Sequence, residues 1–286
     1  MRYSSRLLTA IGSLVTIALS STQVHASTFV AVNTTAPNGI VFTGGDFTLN
    51  TSAGLLDFLN VQKVSVQGVD PSVVTEALTP HPGGITRTAL SLTSVVDGVW
   101  VDSSSGAITG LSSIGGVTWN APFQNNLSHG GVLSITNLQI DFQSQRVYAS
   151  LTGDFRGVGT AEGHAPYDSE VTTTLNNFHL WSFGSVQGNL AGGIVPAPLS
   201  GPYVSGIPPF SLGGLTITQQ GYEHVVSALR LYGAGTSTLQ AVTNYGSITT
   251  AVPEPASMSL LLSGLLGVAF ATARTRQSRA RRPEKG

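Results

Sequence analysis

The sequence predicts a mainly β protein, with one β-rich, sandwich-like domain over residues 27–251 flanked by two short apolar segments. Three observations carry this. Apolar and polar residues alternate in short runs, as on a half-buried strand. Thr and Val fill many of these runs, and both suit a pleated surface. Glycine is abundant, with 34 in 286 residues, while only 9% of residues are charged. That balance fits a Gly/Thr/Ser-rich β protein better than an ordinary cytosolic enzyme, and the length allows a real hydrophobic core.

Taken in chain order, strands are expected at 47–50, 61–66 and 89–96. Between them, Asp70-Pro71 is expected to open a short helix through Leu78, with Asp70 as N-cap and Pro71 at the first helical position. The strongest hairpin lies at 132–142 and 146–151. Leu138, Ile140 and Phe142 share one face, Gln143-Ser144-Gln145 forms the turn, and Val147, Ala149 and Leu151 alternate on the way back. Further strands are expected at 171–175, 212–218 and 239–243. The stretch 192–209 carries Pro196, Pro198, Pro202, Pro208 and Pro209, which marks a crossover loop or subdomain boundary. Tyr222, Val225, Val226 and Leu229 fall at helical spacing before Gly233, and helix and strand both stay open there. The Gly pairs at 44–45, 130–131 and 213–214 each precede alternating residues. Chance in a Gly-rich β chain accounts for that echo, and its spacing far exceeds a solenoid period.

Charge is segregated. Between residues 27 and 251 the bases are Lys63, Arg87, Arg146, Arg156 and Arg230, set against twelve acids. This acidic middle disfavours nucleic acid and anionic lipid as partners. With no cysteine, disulfides, thiolate metal sites and a Cys nucleophile are excluded.

The ends are of another kind. Arg2 and Arg6 precede an apolar stretch from Leu7 to Leu19, and Val24-His25-Ala26 supplies a small-residue cleavage pattern, with the cut expected between Ala26 and Ser27. Residues 1–26 therefore read as a secretory signal peptide cut by signal peptidase. At the other end, Val252-Pro253-Glu254-Pro255 breaks regular structure, because each proline lacks an N–H and holds its predecessor extended. An uncharged run follows to Ala273. About 18 residues at about 1.5 Å each give a marginal transmembrane helix of roughly 27 Å. Arg274, Arg276, Arg279, Arg281 and Arg282 then form a basic tail, which predicts a cytoplasmic end and leaves the middle outside.

This order of Pro-Glu-Pro, Leu-rich helix and arginines resembles the PEP-CTERM sorting signal, over residues 252–286. The resemblance implies an exosortase as processing partner, a transient inner-membrane anchor, and a final place on the cell surface or outside the cell. It also implies a Gram-negative host that makes exopolysaccharide.

No strong catalytic motif appears. Ser112 misses the nucleophile-elbow spacing by one residue, Gly157, Gly159 and Gly163 do not fit a dinucleotide fingerprint, and no His pair has zinc-helix spacing. No cofactor and no catalytic residue is expected. One acidic loop, with Asp154, Glu162, His164, Asp168 and Glu170, has oxygen ligands of the kind Ca²⁺ prefers, and with Tyr167 it could meet sugar hydroxyls. Trp100, Trp119 and Trp181 are expected in the core, with sugar stacking as the other use of an indole. The expected role is a non-enzymatic envelope or matrix protein linked to exopolysaccharide or biofilm. A secreted glycan-acting enzyme and a carbohydrate- or calcium-binding module are the alternatives.

Overall fold

The computed structural model describes residues 27–36, 39, 41–81, 84–158, 171–188, 190, 204–205 and 207–250. In chain order these form β1 (Ser27–Ala31), β2 (Thr34–Thr35), β3 (Val41–Phe42), β4 (Gly45–Thr51) and α1 (Ala53–Val61). Next come β5 (Ser65–Val69), β6 (Val73–His81), β7 (Gly84–Asp102), β8 (Ile108–Ile114), β9 (Gly116–Gln124), β10 (Ser128–Asp141) and β11 (Arg146–Gly153). The rest are β12 (Thr173–Ser182), β13 (Ser185–Gly188), β14 (Val204–Ser205), β15 (Phe210–Gly213), β16 (Thr216–Ile217), α2 (Gln219–Ala228), α3 (Ala234–Gln240) and β17 (Gly246–Thr250).

The main sheet has 14 strands, with a path β13-β15-β17-β4-β7-β8-β10-β11-β12-β16. β1 and β6 add to β7, β9 adds to β10, and β5 adds to β9. The two ends of that path meet. Trp181 and Ser182 of β12 pair with Ile217 and Thr216, and Ser185 and Val186 of β13 pair with Gly213 and Leu212 in the same register. Gly184 N donates to Gly213 O at 3.1 Å and links the two ladders. β15 also pairs with β17, and β17 with β4. The sheet thus curls until it closes on itself, and the strands of the ring keep both neighbours.

The fold is mainly β, as the alternation predicts. Its two facing halves belong to one curled sheet, however, where a sandwich would have two separate ones. Leu49, Leu90 and Leu92 from one half face Trp119, Trp181 and Tyr245 from the other around a small cavity of ≈ 30 Å³. Phe142 and Phe210 meet edge-on across the interior at 5.2 Å. The curl turns sharply between β8 and β9. Gly116 has φ +151°, and a Cβ there would lie 2.1 Å from Ile135 O, so only glycine fits.

The expected hairpin is present as β10 and β11, with Asp141 opposite Arg146. Its alternation carries one interruption. Leu133 and Ile135 point inward, then Leu138 and Ile140 do, because the register shifts between Thr136 and Gln139, at Asn137 with φ 52°. This is a bulge, and it re-aims every outward residue beyond it.

Four expectations are corrected. The helix expected from Asp70 to Leu78 is a turn followed by β6, because β-branched Val73, Val74 and Thr75 pair along β7. The strand expected at 61–66 is the end of α1, a turn and the start of β5. Leu55, Leu56, Phe58 and Leu59 bury one helical face, and Ser52 Oγ accepts from Leu55 N at 3.1 Å as N-cap. Residues 239–243 end α3, with Leu239 buried. The strand expected at 212–218 is two short ones, β15 and β16. The open segment is helix α2, capped by Thr218, whose Oγ1 accepts from Gly221 N at 2.9 Å. The three Gly pairs take unlike places: before β4, inside β10, and after β15.

Candidate functional site

Of the residues singled out in the sequence, Ala26, the sorting motif Val252–Pro255 and the basic tail lie outside the described residues. So do Glu162, His164, Asp168 and Glu170. Ser27 opens β1 opposite Asp102, with its Oγ 3.1 Å from Thr109 Oγ1. Among the described residues no helix is long and apolar enough to cross a membrane, and no group of three or more His, Asp or Glu could hold a metal ion.

Asp154, the described member of the acidic loop, is engaged by arginines. Arg156 Nε donates to its Oδ1 at 2.8 Å, Arg156 Nη2 to its Oδ2, and Arg230 Nη2 to the same Oδ2 at 3.3 Å. Arg230 is buried. The hydrogen bonds from Arg156 lead in holding the Asp154 carboxyl at a pKa of about 2, against the opposing effect of burial, and Arg230 adds to them. Its carbonyl also accepts from Ser227 Oγ at 3.0 Å, which ties the end of β11 to α2. The chemistry of Asp154 is that of a structural ion pair.

The described histidines with described side chains pack against rings. His129 stacks on Tyr232 at 4.1 Å, and His224 lies near Phe155 and Phe178. His179 contacts Tyr148, and its Nε2 lies 3.1 Å from Ser182 Oγ. Burial, then the nearby Arg146 charge, lowers the His179 pKa and favours the neutral ring. Among the described residues no hydrogen bond joins His179 to a carboxylate, so that hydroxyl lacks the orienting third group of a triad.

A different place collects polar and aromatic side chains. A cleft of ≈ 340 Å³ crosses the outer face of the sheet from β1 to β12, lined by Ser27, Trp100, Gln139, Asp141, Tyr148 and Asn177 among others. Strand parity builds it. Val99 and Val101 point inward and leave Trp100 outward; Leu138 and Ile140 do the same for Gln139, and Val147 and Ala149 for Tyr148. Trp100 sits opposite Gly110, which sits opposite Asp141. A Cβ at Gly110 would meet Trp100 Cε3 at 3.2 Å, so the missing side chain makes room for the indole. Phe29, itself opposite Trp100, supports it with rings 5.0 Å apart. Arg146 sits opposite the cleft's Asp141; hydrogen bonding to Tyr148 leads in raising its pKa, and the Asp141 charge adds to it.

Trp119 and Trp181 are buried as expected, whereas Trp100 is half-buried and lines the cleft. The signal that places it was present in the sequence, in the two valines flanking it.

The fold and its flanks define a class: a β domain followed by a C-terminal address. Residues 251–277 match the family model of the PEP-CTERM protein-sorting motif. The motif implies export, a transient membrane anchor and processing by an exosortase. No curated protein and no solved structure matches the chain.

Proposed function

We propose that this chain is an envelope or extracellular-matrix protein that acts at exopolysaccharide by binding and bulk, without catalysis. The observation that carries the reading is the sorting motif at 251–277, immediately after a β domain whose last strand ends at Thr250. An exported domain without cysteine holds its fold by burial and backbone hydrogen bonding, which suits a long-lived extracellular part. The acidic middle keeps it off nucleic acid and anionic lipid. Residues 1–26 serve as its signal peptide, and the final place is the cell surface or the surrounding matrix.

The test is fractionation of the producing cell. The processed protein is expected to co-sediment with the cell's own exopolysaccharide and to leave that fraction when the polysaccharide is enzymatically degraded. Recovery of the processed protein entirely free of polysaccharide would sink the reading. So would turnover of a glycan by the purified chain.

A further inference from the structure

We propose that the cleft beneath Trp100 binds a run of neutral hexopyranose units of a polysaccharide chain. The inference rests on the proposed role at exopolysaccharide and gives it a site.

Four features carry it. The first is shape. The cleft crosses six strands between Ser27 and Asn177, about 24 Å at about 4.8 Å per strand. That is an extended groove on a sheet face, long enough for several sugar rings and of a volume that real ligand sites have. The second is the aromatic floor. Trp100 lies over Gly110 with Phe29 at its edge and Tyr148 three strands along, so indole and phenol faces can receive the axial C–H face of a pyranose.

The third is the polar complement. Gln139, Gln143 and Asn177 each offer a carbonyl acceptor and two N–H donors, the pairing that vicinal hydroxyls need. Asp141 adds a carboxylate, whose Oδ1 accepts from Gln143 N at 2.9 Å and Ser144 N at 3.1 Å and whose Oδ2 accepts from Ser144 Oγ at 2.7 Å. The fourth is charge. No Lys or Arg is among the described residues that line the cleft, whereas Asp141 is, so a polyanion would meet a carboxylate there and no lining cation. A purely apolar partner would strand the amides. A neutral, hydroxyl-rich chain satisfies both the rings and the amides.

The same aromatic packing also covers Gly110 in the sheet, so removing Trp100 could unsettle the fold. The test therefore uses variants that keep it. The full chain, in a detergent without a sugar headgroup, is run in native gels containing hydroxyethyl cellulose, galactomannan, dextran or the producing cell's exopolysaccharide. Iodide quenching is followed in parallel. Trp119 and Trp181 are buried, so quenching reports Trp100. At least one polysaccharide is expected to retard the chain and to shield Trp100 from iodide. Gln139→Ala and Asn177→Ala should each weaken retardation about three- to tenfold, the loss of one or two net hydrogen bonds. Tyr148→Ala should weaken it at least as much. Phe123→Ala, an exposed ring on β9 outside the cleft, should change nothing.

Failure of all four polysaccharides to retard the chain or shield Trp100 overturns the proposal. Retardation of Gln139→Ala, Asn177→Ala and Tyr148→Ala equal to the parent also overturns it. If those variants still follow the cell's exopolysaccharide, the cleft assignment fails while the proposed role stands. If the chain ignores that polysaccharide but another binds through Trp100, the role fails while the cleft stands.

Discussion

Asp154 shows how one side chain can be read two ways. In the sequence it is the first acid of a loop rich in oxygen ligands; in the fold two guanidinium groups claim both its oxygens. Its folded pKa of about 2 lies below the ordinary 3.8. A depressed carboxyl contributes stability that is fully present above about pH 4 and is lost as pH falls toward 2, on the order of 2 kcal/mol. Asp154→Asn is expected to cost about 2 to 3 kcal/mol at pH 7, because Arg230 stays buried with its carboxylate gone. The variant should also flatten the acid limb of a stability–pH curve between pH 4 and 2. Urea titrations across that range check both effects. An unchanged midpoint at pH 7 would show that the other contacts of Arg230, among them Nη1 to Gly130 O at 3.3 Å, suffice.

At the scale of elements, what the sequence made legible depends on where alternation was clean. Val147-Tyr148-Ala149 and Leu138-Gln139-Ile140 alternate without a break, and their strands and inward faces follow directly. Ile135 and Leu138 are three apart because of the bulge at Asn137, and that spacing is ambiguous between a helix and a bulged strand. α1 went unread although Ser52 and the Leu55, Leu56, Leu59 spacing signal a capped helix. Nine residues give too few turns for periodicity to dominate. Closure of the sheet was beyond local reading, since it pairs β12 with β16 and, across about 200 residues of chain, β17 with β4. The cleft needed that closure less than it needed parity, which is why Trp100 could have been placed and the acidic loop could not.

Two glycines test the element-level account in opposite directions. Gly116→Ala puts a Cβ 2.1 Å from Ile135 O at the bend between β8 and β9 and should cost about 3 kcal/mol or more. Gly54→Ala, in the first turn of α1 with nothing within 4 Å of the added atom, should stabilise by up to about 1 kcal/mol. Chemical denaturation of both variants decides it. A neutral Gly116→Ala would mean that the bend is softer than its geometry requires.

For the molecule as a whole, the last strand of the ring and the sorting address nearly touch. β17 ends at Thr250, opposite Phe47 of β4, and Ile248 is fully buried. The matched motif begins at residue 251. A protease works on an extended segment free of other pairing, whereas residues 246–250 pair along β4, and Ile248 and Thr249 pair with β15 as well. Cleavage is therefore expected beyond Thr250, at the Pro-bearing sorting motif. Removing β17 would open the ring and uncover its neighbours β15 and β4, with the buried Leu212 and Phe47, so a cut inside it would release an unfolding domain. In a host with an exosortase, mass spectrometry should find the processed C-terminus after Thr250. Pro253→Ala, Glu254→Ala and Pro255→Ala combined should leave an uncut species in the membrane fraction with its β domain intact. A processed form ending within 246–250, or normal processing of the triple variant, would contradict this coupling of the address to the fold.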